Sequence, residues 1–162
     1  MPMPCYMSVK GKSQGDIEGS CTIKGHEKTI FVYELDHNVG IPTDPGSGLP
    51  TGKRIHYPLV ITKELDKSSP KLQQALVTGE LLTEVMLEFW HISPAGKEEK
   101  YYTVKLENAI VVKSEDYFPL TFLEESKPYR HMEKISFTYG KIIWTWVPDG
   151  IEAEDSWEAP KS

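Results

Sequence analysis

One short stretch of the sequence comes close to a phosphate-binding loop. Residues 47–54 read SGLPTGKR, whereas the phosphate-loop pattern has glycine at its first position and Ser or Thr at its last. Ser47 and Arg54 stand at those two positions. The segment also precedes a predicted strand, although a phosphate loop must open a helix. The sequence therefore gives no support to a nucleotide site.

The side chains that bind metals or carry out acid–base chemistry are scattered along the chain. The histidines are His26, His37, His56, His91 and His131. No two of them have the short spacing of a metal site, and neither cysteine lies near a pair of them. We therefore expect these histidines on the surface or at strand ends.

The usual sequence signs of a hydrolytic site are missing as well. The chain has no G-x-S-x-G motif, the common cue for a serine hydrolase. The acidic pairs 98–99 and 124–125 lie in lysine-containing turns, where nothing predicted would bury one carboxyl and raise its pKa. The sequence predicts no catalytic residue, no metal and no cofactor.

Composition narrows the class of protein further. The chain has 162 residues and a formal net charge of −6, which fits one domain and argues against a nucleic-acid partner. No window approaches the ~20 apolar residues of a membrane span. The first residues lack a basic head followed by an apolar run, so no signal peptide is predicted. We expect synthesis in the cytoplasm and no membrane insertion. We expect reduced thiols at Cys5 and Cys21, and the alternative is a disulfide between them if the first two strands lie side by side.

Residues 55–80 carry the clearest structural signals. Alternating apolar residues predict a strand from Ile55 to Thr62, with Pro58 marking an edge or a bulge. A single short helix at about 70–78 should follow, with Ser69 as its cap and Gly79 just past its end. Its apolar stripe is narrow and suits packing on a sheet. The stripe comprises Leu72, Ala75 and Leu76.

The rest of the chain predicts strands. Residues 82–92 and 101–112 read as a hairpin, and residues 21–24 with 29–39 as another. In the last predicted strand the apolar parity reverses at Gly140, which indicates a bulge or a bend into a second sheet. We expect a barrel domain over residues 1–148 and an acidic tail over 149–162, where the net charge is −4.

Two long connections separate these strands. Residues 40–52 contain three prolines and four glycines, so a regular helix or strand is not expected there. A stiff loop of this length favours a docking arm over disorder. Residues 114–130 form the second connection, either folded over its own aromatic residues or protruding as a contact surface.

Four segments together resemble one known family. They are CYMSVKGKSQGDIEG, ITKELDKSSPKLQQALVTGELL, YYTVKLENAIVV and ISFTYGKIIWTW, which occur in family order. They are similar to Hcp, the haemolysin co-regulated protein that forms the inner tube of the bacterial type VI secretion system. The resemblance implies a mainly β fold, a compact antiparallel β-barrel of two packed sheets with one short flanking α-helix, assembling into a hexameric ring.

The resemblance also implies partners and contact residues. Rings would stack into a tube that carries or chaperones effector proteins in its lumen and that meets sheath, spike and baseplate proteins. The protein would leave the cell through this system without a cleaved signal peptide. The implied subunit or ring contacts are Ile41, Pro42, Thr43, Asp44, Pro45, Leu49 and Pro50, and the implied sheath-facing residues are Lys71, Gln74 and Thr78.

Two other functions remain open on the residues alone. A monomeric β-sandwich that binds a carbohydrate or small ligand would use the abundant aromatic residues on one exposed face. A small β-barrel enzyme would depend on one polar residue, for example His56 or Asp116. The first alternative predicts a monomer with saturable ligand binding, and the second predicts turnover.

Overall fold

The computed structural model describes residues 3–157, which contain one α-helix, one short 3₁₀ helix and twelve β-strands. The α-helix α1 spans Ser69–Thr78, and the 3₁₀ helix spans Glu124–Ser126. The strands are β1 (Cys5–Gly11), β2 (Gly15–Ile17), β3 (Ile30–Val32), β4 (Glu34–Asp36), β5 (Val39–Gly40), β6 (Ile55–His56), β7 (Leu59–Glu64), β8 (Leu82–Ile92), β9 (Glu98–Tyr117), β10 (Met132–Thr138), β11 (Lys141–Trp146) and β12 (Ile151–Ser156).

All strand pairs in the described chain are antiparallel. The main path of the sheet runs β2-β1-β8-β9-β10-β7-β4, and β11 and β12 extend it beside the first half of β9. Because β3 pairs with β1 and β4 with β7, the short segment 30–36 links the two ends of this path. The predicted mainly β class with one flanking helix is confirmed.

The long strand β9 belongs to two sheets. Its first part pairs with β8 and β11, and its second part pairs with β10. Between the two parts Asn108 has a φ of 53°, a left-handed conformation that asparagine tolerates better than most residues. The backbone N–H of Gly140 donates to the carbonyls of Glu107 and Asn108 there. The predicted bend into a second sheet at Gly140 is therefore confirmed.

The core lies between the two sheets and under the helix. Alternate residues of the central strands point into it, as a period of two requires. Leu59, Ile61, Leu106 and Ile135 are each 0% exposed. The helix closes one side because Leu72 and Ala75 are also 0% exposed, which confirms the predicted stripe.

The helix ends are only partly as expected. Gly79 has a φ of 67°, and its N–H donates to the Ala75 and Leu76 carbonyls, as the predicted C-terminal glycine should. The N-terminal cap position is Ser68 rather than Ser69, and neither makes a side-chain cap hydrogen bond. Ser69 is the first helical residue, and its hydroxyl belongs instead to a buried polar cluster.

Three predicted elements are wrong in detail. The single strand over 55–62 is two strands, because Pro58 lies between β6 and β7. The hairpin of 21–24 with 29–39 is absent, since residues 18–29 form a loop and β3 pairs with β1. The acidic region 149–162 is not simply a tail: Ile151–Ser156 is strand β12, paired along its whole length with β11. Residues 158–162 lie outside the described part of the chain.

Strand β9 also runs five residues beyond the predicted end at 112. The second long connection therefore begins only after Tyr117. Among residues 3–157, no helix is long and apolar enough to cross a membrane.

Candidate functional site

The extended arm, defined here as residues 39–56, is a two-stranded projection rather than an irregular loop. Its base is the β5–β6 ladder, in which Val39 faces His56 and Gly40 faces Ile55. An isolated bridge joins Thr43 to Pro50 nearer the tip. The expectation that no strand forms within 40–52 is therefore wrong at its first residue, since Gly40 belongs to β5.

Asp44 builds the tip of the arm. Its carboxylate accepts the Gly46 N–H at 2.9 Å and the Ser47 hydroxyl at 3.0 Å. The hydrogen bond from the Gly46 N–H is the largest effect that lowers the pKa of Asp44 below its usual range. The Asp44 carbonyl also accepts the Gly48 N–H at 2.7 Å. The turn therefore satisfies its own backbone and needs no partner to define its shape.

The arm presents apolar groups to solvent. Ile41 is 50% exposed and Leu49 is 64% exposed. All seven residues that the family resemblance assigned to subunit or ring contacts are exposed and lie on this one projection. They are Ile41, Pro42, Thr43, Asp44, Pro45, Leu49 and Pro50. The arm is thus a pre-shaped surface with unpartnered apolar side chains.

A hydrogen-bonded row of polar side chains, called here the arm-base cluster, joins the base of the arm to β12 and to Tyr139. Arg54 donates to both carboxylate oxygens of Asp155, at 2.6 and 2.9 Å. The His56 ring lies between Asp155 Oδ2 at 2.6 Å and the Tyr139 hydroxyl at 2.7 Å. The same hydroxyl lies 2.8 Å from His37 Nε2. Hydrogen bonds therefore link five side chains from four segments of the chain into one cluster.

The electrostatics of the arm-base cluster follow from these contacts. The two hydrogen bonds from Arg54 hold the pKa of Asp155 well below its usual range, and His56 adds to the effect. Burial lowers the pKa of His37, and the neighbouring His56 lowers it further. Burial raises the pKa of the Tyr139 hydroxyl. The carboxylate is thus the stable anion of the cluster, and the tyrosine stays protonated.

The three helix residues that the family resemblance assigned to the sheath lie on the solvent side of α1. Lys71, Gln74 and Thr78 are all exposed, on the side of α1 opposite Leu72. The Thr78 hydroxyl donates to the Gln74 carbonyl within the helix at 2.7 Å, which leaves it a weaker contact group than its two neighbours. Val77, which the sequence did not single out, is 79% exposed on the same side.

A fully buried ion pair anchors this helix and was not predicted. Lys63 and Glu133 are both 0% exposed, and Lys63 Nζ lies 2.9 Å from Glu133 Oε2. Lys63 also contacts Asp66 Oδ1 at 3.1 Å and donates to the Ser69 hydroxyl at 3.0 Å. The Ser69 hydroxyl in turn donates to Glu133 at 2.7 Å. The cluster joins β7, β10 and the first turn of α1.

The expectation of histidines on the surface or at strand ends is wrong for His26, which is buried in a loop, whereas His56 does lie at the end of β6 but with its side chain buried. His26 is 6% exposed, stacks on Tyr6 at 3.9 Å between ring centroids, and contacts Glu98 Oε1 at 3.1 Å. The side chain of His56 is 2% exposed. Both rings lie at contacts between distant parts of the chain, which sequence spacing cannot reveal. Among the described residues, Cys5 and Cys21 are free thiols.

Comparison with known proteins decides the family. The profile described as "Type VI secretion system effector, Hcp" matches residues 6–146. The Major exported protein of Pseudomonas aeruginosa is 42% identical over 169 residues, which cover 99% of this chain and 98% of that protein. The chain belongs to the Hcp family. The predicted family is therefore confirmed.

Solved Hcp structures match the whole fold. Hcp1 of E. coli EAEC 042 is 36% identical and superimposes with a TM-score of 0.86, covering 96% of this chain and 99% of its own. The secreted protein Hcp3 of Pseudomonas aeruginosa is 36% identical with a TM-score of 0.79, covering 98% of this chain and 100% of its own. This chain is thus an Hcp-family protein of the type VI secretion system.

Proposed function

We propose that this Hcp protein is the repeating subunit of the type VI inner tube, with six copies in each ring and rings stacked end to end. The observation that carries the proposal is the extended arm, which is internally hydrogen-bonded and exposes the apolar side chains of Ile41 and Leu49. A lone subunit gains nothing from holding Ile41 and Leu49 in water. A cyclic assembly with head-to-tail contacts would cover them.

The arm suits docking for a second physical reason. Its turn at Asp44, its bridge at Thr43 and its ladder at Val39 define one shape before any partner arrives. Association then costs little loop-ordering entropy. We assign Ile41, Leu49 and the neighbouring prolines to the contact with the next subunit or ring.

We assign the exposed helix face to the sheath. Lys71 and Gln74 give it polar contact groups, and Val77 gives it an apolar centre. Because the buried Lys63–Glu133 pair fixes the first turn of α1, this face is presented in one orientation. Spike and baseplate proteins would meet the ends of the tube rather than this face.

We assign the outer face of the sheet β1-β8-β9-β11-β12 to the lumen wall. Charged side chains of alternating sign cross it at distances of 3.3 to 4.0 Å. The charges compensate one another locally, so the wall would lack a strong field of one sign. Such a wall suits the passage of effector proteins of differing charge. The row runs Lys10, Glu84, Lys105, Glu107, Lys141 and Glu154.

The assigned role is structural and not enzymatic. Both ring nitrogens of His56 are engaged, one with Tyr139 and one with Asp155. With its side chain 2% exposed, this histidine has no free face for a substrate. Asp116 is exposed near the end of β9, where it pairs in register with Glu133 of β10. Before export the protein would assemble in the cytoplasm.

The arm assignment is tested by a double variant, Ile41→Ser with Leu49→Ser. Each side chain contributes about 1–2 kcal/mol if its exposed part becomes buried on assembly, so ring or stack formation should need at least about tenfold higher protein concentration. The measurement is sedimentation velocity over a concentration series with electron microscopy of the same samples. The thermal unfolding of the subunit should stay unchanged.

A matched control removes similar apolar surface elsewhere. Leu120 and Phe122 are 60% and 80% exposed on the second long connection, and their double serine variant should assemble like the parent protein. Equal assembly of the arm variant and the parent would contradict the role given to the arm.

A further inference from the structure

The end of strand β12 contacts the base of the extended arm through three consecutive residues. Asp155 accepts two hydrogen bonds from the guanidinium of Arg54, and the Ser156 carbonyl accepts another at 3.2 Å. The guanidinium carbon also lies 6.0 Å from the ring centroid of Trp157, which is within reach of a cation–π contact. One arginine side chain of the arm is therefore held by residues 155–157 together.

His56 attaches the arm to the same three residues a second time. Arg54 and His56 are alternate residues of an extended segment, which places both side chains on one face. His56 Nε2 lies 2.6 Å from Asp155 Oδ2, and its ring centroid lies 5.1 Å from that of Trp157. The side chains of His56 and Asp155 are only 2% and 17% exposed, so their contact is stronger than it would be in open water.

Beyond its base the arm stands in solvent. Every residue from 41 to 53 is exposed. The hydrogen bonds at Asp44 and Thr51 and the bridge between Thr43 and Pro50 join arm residues to one another. These internal contacts define the shape of the arm, but they do not define the direction in which it projects from the body. That direction is set at the base.

We propose that Asp155 is a positioning residue for the arm, and that its contacts with Arg54 and His56, together with those of Ser156 and Trp157, form a clasp that sets the direction of the arm. The clasp consists of contacts within one subunit. Its consequence for assembly rests on the function proposed above. A second subunit would meet an arm that already points in one direction, so that less orientational freedom is lost on association.

The clasp makes the arm and β12 depend on each other. Residues 151–154 are exposed, so β12 is held by its ladder with β11, by bonds from Ser156 and Trp157 to the Gly140 carbonyl, and by the clasp. A coupling between two elements through shared contacts is reciprocal. Loss of Asp155 should therefore free the arm, and loss of Arg54 should loosen β12, although each residue belongs to the other element.

The test measures the direction of the arm as the distance between two spin labels on the full-length protein. Thr43→Cys on the arm and Val77→Cys on α1 carry the labels, since both positions are exposed, and Cys21→Ser removes the competing thiol. The labelled protein is diluted into unlabelled protein, so that only distances within one subunit are read. With the clasp intact, one narrow distance distribution is expected. Asp155→Ala and Arg54→Ala should each broaden it as the arm takes several directions.

Hydrogen exchange of residues 151–157 measures the other half of the coupling. Arg54→Ala should lower the protection of this segment by at least about tenfold, the effect of losing a hydrogen-bonded charged partner. Peptides from β8 should keep their protection, which shows that the body stays folded. The double variant Arg54→Ala with Asp155→Ala should lose no more protection than either single variant, because both changes remove the same contact.

Lys141→Ala is the matched control, because it removes the 3.3 Å ion pair between Lys141 and Glu154 across the β11–β12 ladder and leaves the clasp intact. It should keep both the narrow distance distribution and the protection of β12. A narrow distribution in Asp155→Ala, unchanged exchange of β12 in Arg54→Ala, or equal broadening in Lys141→Ala would each overturn the clasp. Both measurements concern one subunit, so a failure of ring formation would refute the proposed function and leave the clasp standing.

Discussion

Removing one partner of the buried Lys63–Glu133 ion pair should destabilise the protein more than removing both. In Lys63→Met, the donors left to the Glu133 carboxylate among residues 3–157 are the hydroxyls of Ser69 at 2.7 Å and Ser114 at 3.3 Å. An uncompensated buried charge of this kind costs about 3–5 kcal/mol of unfolding free energy. In Glu133→Met, Lys63 retains Asp66 at 3.1 Å, so we expect a smaller loss of about 1–3 kcal/mol.

The double variant with methionine at both positions leaves neither charge buried. Unbranched methionine fills a similar volume, and the replacement of a buried pair by apolar residues is often neutral or stabilising. The double variant should therefore lie within about 2 kcal/mol of the parent protein. The two changes would then be strongly non-additive, as groups in direct contact usually are.

The assay is equilibrium unfolding in guanidinium chloride at one fixed protein concentration, because assembly shifts apparent stability. Lys10→Met is the matched control, since the Lys10–Glu84 pair is 3.6 Å apart with side chains 57% and 27% exposed. An exposed pair of this kind should cost no more than about 1 kcal/mol. If Lys63→Met costs as little as Lys10→Met, or if the double variant costs the sum of the singles, the reasoning is wrong.

Three further predictions concern packing, backbone space and thiol reactivity. Leu72→Ala should lower the unfolding free energy by about 2–5 kcal/mol in the same assay, because the Leu72 side chain lies on the buried face of α1 and is 0% exposed. Gly19→Ala should reduce the thermal stability sharply, since a Cβ there would lie 2.3 Å from the Thr29 carbonyl oxygen. A Cβ at Gly40 would meet nothing within 4 Å, so Gly40→Ala should leave the unfolding temperature nearly unchanged. Burial raises the pKa of the Cys5 thiol to about 12, so a thiol reagent at pH 8 should label Cys21 and leave Cys5 unmodified until the protein unfolds; equal labelling rates would contradict its burial.

The elements that were predicted correctly are those with local signals. Pro70 in the first turn and Gly79 just past the last turn are start and stop signals in the local sequence. The bounds of the helix could therefore be predicted to within about one residue. Leu82–Ile92 has the bounds predicted for it, since its alternation is continuous. The reversal of the apolar alternation at Gly140 is also a local signal, because it marks the bend between the two sheets.

The features that were missed depend on partners far along the chain. His56 and Asp155 are 99 residues apart, and Lys63 and Glu133 are 70 residues apart. No spacing rule joins such pairs. Strand β12 was missed because four of its six residues are exposed and three are acidic, so it has no run of large alternating apolar side chains and is defined by its ladder with β11.

The assembly proposed for this Hcp chain is a ring of six. The most direct test is the mass of the purified protein in solution, with electron microscopy of the same sample. Six chains of 18.4 kDa give about 110 kDa, and a hexameric ring should show that mass together with annular particles. A monomer that persists at high protein concentration would contradict it.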